Sequence, residues 1–179
     1  MYRINDIILY GIQGVCKIID ITEKEIEGKR REYYVLKPVY DSNSTIFIPV
    51  HSEKLVAKMR RILSTEEIYA LIKAIPSEST VWIDNETLRR EKYSAILTSG
   101  DRTALVRLIK TLYLHQKMQR EKGRKLHVSD ERFMKDAERM IYDEFAYVLH
   151  IKCEQVLPFI LEQLRLMRKG QGQGSQGVI

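Results

Sequence analysis

The first fifty residues contain most of the segments in this chain that have the pattern of β-strands. Short runs rich in Ile, Val, Tyr and Phe are closed by Gly, Asn, Asp or Pro, which is typical of a small antiparallel sheet. Gly11 and Gly14 indicate a turn or bulge, and Glu27-Gly28 indicates a hairpin tip. The predicted strands are 6–10, 15–21, 32–39 and 45–48, with a candidate fifth strand at 58–63.

Ser64 marks a change from strand to helix. Ser64 and Glu67 have the spacing of a capping box, in which each side chain satisfies a free backbone amide of the other residue. Apolar residues then recur at helical spacing, with Leu88, Tyr93 and Leu97 marking the second helix. We therefore predict an α+β chain: a β domain over 1–62 forming a small open barrel or sheet, an all-α domain of five helices over 63–168, and a flexible Gly/Gln-rich tail over 169–179.

The charge is distributed unevenly along the chain. Residues 89–125 hold eleven Lys or Arg against three acids, whereas residues 130–154 hold seven acids against four bases. A solvated helix surface would explain the basic block, but an excess of this size favours binding to phosphate. The predicted DNA-binding bases are Arg89, Arg90 and Lys92, together with one face of the next helix formed by Arg107, Lys110, Lys117 and Arg120.

Trp82, the only tryptophan, has two interpretations. An aromatic residue just before a basic helix can wedge against a base step in the minor groove of DNA. The alternative is a structural role as an anchor in the core or between domains, and composition alone favours this one.

Sequence patterns of catalysis are absent. The four histidines have no i, i+4 pair, the two cysteines are far apart, and there is no glycine-rich phosphate loop or activated serine motif. We predict a protein that is not an enzyme and that needs no metal or cofactor. No export leader or run of 18 apolar residues is present, so we predict a cytoplasmic protein without a membrane partner.

The order and spacing of several segments resemble the CarD/CdnL family of bacterial transcription regulators. The similarity extends over about residues 1–165. It rests on residues 7–10, Gly14-Val-Cys-Lys-Ile-Ile-Asp20, the Glu27-Gly28 tip, Glu32-Tyr-Tyr-Val-Leu-Lys37, Ile46-Phe-Ile-Pro49, Arg89-Arg90, Tyr93 and Ser99-Gly100-Asp101.

This resemblance implies a Tudor-like RNA polymerase-interacting domain, shared with the transcription-repair coupling factor, followed by a helical DNA-binding domain. Such a protein would dock as a monomer on the polymerase β subunit through a sheet edge. It would stabilise the open complex by holding promoter DNA at the upstream edge of the bubble, without reading sequence. A different class of function, a protein-interaction adaptor, predicts no DNA binding.

The resemblance also implies particular contact residues. Lys24 precedes the hairpin tip at the polymerase contact, and the edge strand is formed by Thr45, Ile46, Phe47 and Ile48. Phe47 stands where some family members carry a basic side chain. Trp82 lies four residues before the position of the family's wedge tryptophan, which would fall near Glu86. Either the loop is remodelled so that Trp82 still reaches the groove, or this protein lacks the wedge.

Overall fold

An antiparallel sheet of five strands forms the N-terminal third of the protein. The computed structural model describes residues 1–26, 28–41 and 43–172, so Glu27 of the predicted hairpin tip lies outside the described residues. The strands are β1 (Ile7–Tyr10), β2 (Val15–Ile26), β3 (Lys29–Pro38), β4 (Ile46–Pro49) and β5 (Met59–Arg61). They are ordered β4-β3-β2-β1-β5, so β4 and β5 are the two edges. The predicted fifth strand is confirmed.

The sheet has its own small core because its strands alternate in the direction of their side chains. Cys16 and Ile18 of β2 are fully buried, as is Leu36 of β3, which pairs with Ile18. A register shift between Ile18 and Asp20 marks a bulge in the β2–β3 ladder. The buried members of this cluster are Ile8, Cys16, Ile18, Tyr34, Leu36, Ile48 and Met59.

Six α-helices account for most of the other residues that the structure describes. A single-turn helix, α1 (Glu53–Val56), precedes β5, and the C-terminal part contains α2 (Thr65–Ala74), α3 (Glu86–Ser99), α4 (Arg102–Glu121), α5 (Val128–Leu149) and α6 (Cys153–Gly172). The predicted α+β class is thus confirmed. The predicted capping box is present, with the Ser64 side chain accepting from the Glu67 amide and Glu67 accepting from the Ser64 amide. Residues 169–172 of the predicted tail belong to α6, and residues 173–179 lie outside the described residues.

The helices enclose a second and larger core. Leu105, Leu108 and Leu112 of α4 pack with Met140 and Phe145 of α5 in one buried cluster. The helix marked by Leu88, Tyr93 and Leu97 is present as α3, although the Leu88 side chain is 43% exposed. Residues 89, 93 and 97 share the buried face of α3 through i, i+4 spacing, which places an arginine in the interior.

Buried polar contacts join the sheet to the helices. Glu144 of α5 is fully buried and accepts hydrogen bonds from the Arg102 side chain, at 2.7 and 2.8 Å, and from the Leu63 amide at 2.8 Å. Arg102 also donates to the carbonyl oxygen of Arg61, at the end of β5 (2.7 Å). Separating the sheet from the helices would break this ion pair and leave the buried Glu144 charge uncompensated, which is costly. The network therefore holds the sheet and the helices together.

Gly14 provides a second point of close approach between sheet and helices. Its backbone, at φ 72° and ψ −148°, lies in a region that is essentially limited to glycine. A Cβ added there would lie 2.7 Å from Oδ2 of Asp143 in α5. Burial raises the pKa of the Asp143 carboxyl, and Arg139 and the Cys153 thiol oppose this effect in part.

We expect Gly14→Ala to destabilise the protein. Backbone strain should cost about 1–3 kcal/mol, and displacing the Asp143 side chain should add an overpacking cost of about the same size. Chemical denaturation of Gly14→Ala, Asp143→Ala and the double variant measures the two contributions. The loss should be smaller in the Asp143→Ala background, and an equal loss in both backgrounds would show that the contact contributes nothing.

Candidate functional site

β4 is one of the two edge strands of the sheet, and it pairs only with β3 among the described strands. The Val50 amide donates to the Glu32 carbonyl on β3 at 2.9 Å. Because hydrogen bonds alternate along an antiparallel strand, Ile48 and Ile46 also turn their backbone groups toward β3, whereas Phe47 and Thr45 turn theirs outward. An open ladder of this kind can accept a further strand from a partner.

The predicted polymerase-contact residues fall into two groups. Ile48 is buried and Ile46 is half-buried, so their side chains serve the sheet core. Thr45 is exposed and Phe47 is 37% exposed. The Lys24 ammonium lies 3.5 Å from the centroid of the Phe47 ring, a cation–π contact that connects β2 with the edge strand. Lys24 therefore places a positive charge beside the open edge even though Phe47 is itself neutral.

Trp82 lies in a stack formed by residues of the same chain. The His115 ring is stacked on its indole with centroids 3.5 Å apart and planes 14° apart, and the Arg89 guanidinium lies 4.5 Å from the ring centroid. The indole N–H donates to Asp84 at 2.9 Å. Burial lowers the pKa of His115, which favours the neutral imidazole in the stack. This geometry fits the structural interpretation, because a wedge would have to leave these contacts.

Arg89 is the side chain to which this cluster is anchored. It is 6% exposed and forms two hydrogen bonds with the Asp130 carboxylate, at 3.0 and 3.1 Å. It also donates to the carbonyls of Ile83 (2.8 Å) and Asp84 (3.2 Å). The prediction that Arg89 contacts DNA does not fit this structure, since its guanidinium is already paired inside the protein.

The predicted basic face of α4 is divided between two roles. Arg107 pairs with Glu78 at 2.7 Å, and the Lys110 ammonium donates to the carbonyls of Ile75, Pro76 and Glu78 at 2.7–3.1 Å. These two bases hold α4 against the segment that follows α2, which leaves them poorly placed for phosphate. The predicted bases with exposed side chains are Arg90, Lys92, Lys117 and Arg120.

The structure adds bases that the sequence interpretation missed. A groove of about 690 Å³ lies between the 3-10 turn Gly11–Gln13, α3 and the start of α5. Lys58, Arg90 and Arg132 line it, with Asp136 as its one acidic lining residue. Lys58 belongs to the sheet part and Arg132 to the acidic segment 130–154, so neither falls within the basic block of the sequence. Only the fold brings them together.

These surfaces give the sheet part of the protein an open edge and the helical part a set of exposed bases. Among the described residues, no group of three or more His, Cys, Asp or Glu side chains could hold a metal ion. None of the described helices combines the length and apolar character that crossing a membrane requires.

Comparison with known families identifies the N-terminal part. Residues 2–63 match the family model of the CarD-like/TRCF RID domain, the RNA polymerase-interacting domain. The match confirms the predicted resemblance to this family over residues 2–63. The match supports an interaction with RNA polymerase, and the domain is one of protein interaction rather than catalysis.

Proposed function

We propose that this protein is a bacterial transcription regulator that docks on the polymerase β subunit and holds promoter DNA at the upstream edge of the bubble, stabilising the open complex. It acts as a monomer in the cytoplasm. The observation that carries the proposal is the buried connection between a polymerase-interacting sheet with an open edge and a helical part with exposed bases. A regulator of this type needs both surfaces in a fixed relation.

The polymerase half of the proposal rests on β4. A strand of the β subunit would pair with the outward backbone groups of Thr45 and Phe47, and Lys24 would add an attractive charge for an acidic neighbour. Main-chain hydrogen bonds would supply affinity, while the Phe47 side chain would favour one register.

The DNA half rests on exposed bases of the helical part and of the junction groove. Arg90 is exposed and also lines the groove with Lys58 and Arg132, so it connects the two sets. Lysine and arginine side chains bind phosphate without carrying sequence information, which agrees with a protein that does not read bases. Arg89 and Trp82 would act indirectly, by holding the α3 N-terminus and the α5 N-terminus together.

We expect the Arg90→Glu, Arg132→Glu double variant to weaken DNA binding. The logarithm of the DNA-binding constant should fall less steeply with the logarithm of the salt concentration. Each lost phosphate contact should reduce the magnitude of this slope by about 0.9. Fluorescence anisotropy with a labelled duplex at several salt concentrations measures this effect, and a second, unrelated duplex tests sequence independence.

Lys152→Glu is the matched charge-reversal control. Lys152 is exposed in the connection between α5 and α6, at the other end of α5 from Arg132. The control should keep most of the binding. Unchanged DNA binding in the double variant would exclude the groove as the DNA surface, and no binding by the unmodified protein at low salt would support the adaptor function.

A further inference from the structure

A second groove, of about 370 Å³, runs between α4 and α6 on the surface of the helical part. Its lining is mainly apolar and aromatic. The floor is formed by Ile141, Tyr142 and Phe145 of α5. The walls come from Val106, Ile109, Tyr113 and Leu114 of α4 and from Leu157, Ile160, Leu161 and Leu164 of α6.

α4 and α6 both pack against α5, and the groove lies between them. Arg102 at the start of α4 reaches Glu144 near the end of α5, and Cys153 at the start of α6 contacts Asp143. Both α4 and α6 therefore run antiparallel to α5 and form two parallel walls above it. A three-helix surface of this kind resembles a four-helix bundle from which one helix is missing.

The walls of the groove expose large apolar side chains to solvent. Tyr113 is 50% exposed, Leu114 is 45% exposed and Leu161 is 53% exposed. Leu157, Leu161 and Leu164 follow one another at i, i+4 and i+7, which gives a continuous stripe along the α6 wall. A contiguous apolar patch bounded by polar residues is characteristic of an interaction site.

The charges of the groove select among occupants. Lys110 and Arg168 line it together with the single acid Glu138, and the next residue of α6, Lys169, is also exposed. The Lys110 ammonium is held by backbone carbonyls, so Arg168 and Lys169 are the bases open to a ligand. Burial raises the pKa of the Glu138 carboxyl, and the nearby Lys135 opposes this effect in part. Two copies of this chain would bring these basic linings together, whereas an acidic partner would complement them.

We propose that this groove binds an acidic amphipathic α-helix of a partner protein. The helix would insert an apolar stripe between α4 and α6 in the place of the missing fourth helix, with its carboxylates toward Arg168 and Lys169. This site lies apart from the β4 edge and from the groove lined by Arg90 and Arg132, so it does not depend on the function proposed above.

The test uses the full chain and a labelled helical peptide of about 18 residues, or five turns. The peptide carries leucines at i, i+3, i+4 and i+7 and glutamates with alanines elsewhere. We expect saturable binding by fluorescence polarisation that weakens with salt. Leu161→Glu should reduce affinity roughly thirtyfold, as for an apolar hot-spot residue, and Tyr113→Glu should act in the same direction.

Two controls make the result specific. Leu166→Glu introduces the same charge on α6 at a residue that is 49% exposed but does not line the groove, so it should leave binding unchanged. A peptide with lysine in place of glutamate should bind more weakly. Equal binding by the Leu161→Glu variant would overturn the proposal. A dimer of the unmodified protein in sedimentation that Leu161→Glu dissociates would overturn it in favour of a second copy.

Discussion

Asp130→Ala should lower the free energy of unfolding by about 3–5 kcal/mol, the usual cost of removing one partner from a buried ion pair. Asp130 is 1% exposed and accepts two hydrogen bonds from Arg89, which is itself buried. The substitution leaves a guanidinium with only two carbonyl partners in the interior. Because Arg89 also lies over Trp82, the loss should spread to the loop before α3.

The fluorescence of the only tryptophan gives a local measure of this effect, and urea denaturation gives the global one. Asp130→Asn keeps the shape of the side chain and should still be strongly destabilising. The matched control is Asp136→Ala on the same helix, whose ion pair with the 85% exposed Arg132 spans 4.0 Å. That pair should contribute only about 0.3–0.5 kcal/mol. Similar losses at both positions would contradict the role of burial.

Local pattern was sufficient to predict the sheet and the beginnings of helices. The capping box at Ser64 depends on residues three apart, and the strand at 15–21 on a short run rich in Val and Ile that follows Gly14. The strand itself continues to Ile26, through a segment that the sequence interpretation placed in a polar loop. Pairing with β3 explains the difference, because a ladder can hold polar residues that have little strand propensity alone.

The role of each base could not be predicted in the same way. Arg89 and Arg90 are neighbours in the sequence, but one is buried against Asp130 and the other is exposed. Arg107 meets Glu78 across 29 residues of sequence separation. Such partners are set by tertiary packing, so a count of charges shows that a region is basic without showing which charges are available to a ligand.

Phe47→Pro should reduce binding to RNA polymerase about tenfold to a hundredfold, with the sheet still folded. The Phe47 amide points to the open edge, away from β3, so its loss removes no hydrogen bond within the sheet. A strand docked on β4 would no longer receive a hydrogen bond from the residue 47 amide. The carbonyl of the docked strand that faces this position would stay unsatisfied, which costs about 1–3 kcal/mol. Biolayer interferometry with immobilised polymerase β subunit measures the change, and circular dichroism checks the fold.

Phe47→Ala separates the backbone from the side chain. Alanine keeps the outward amide but removes the ring that lies against Lys24. If docking occurs by strand addition, Phe47→Ala should bind better than Phe47→Pro. Equal affinities would mean that the ring makes the whole contact, and undiminished binding by the proline variant would exclude β4 as the docking edge. In that case β5, the other edge of the sheet, would be the next strand to test.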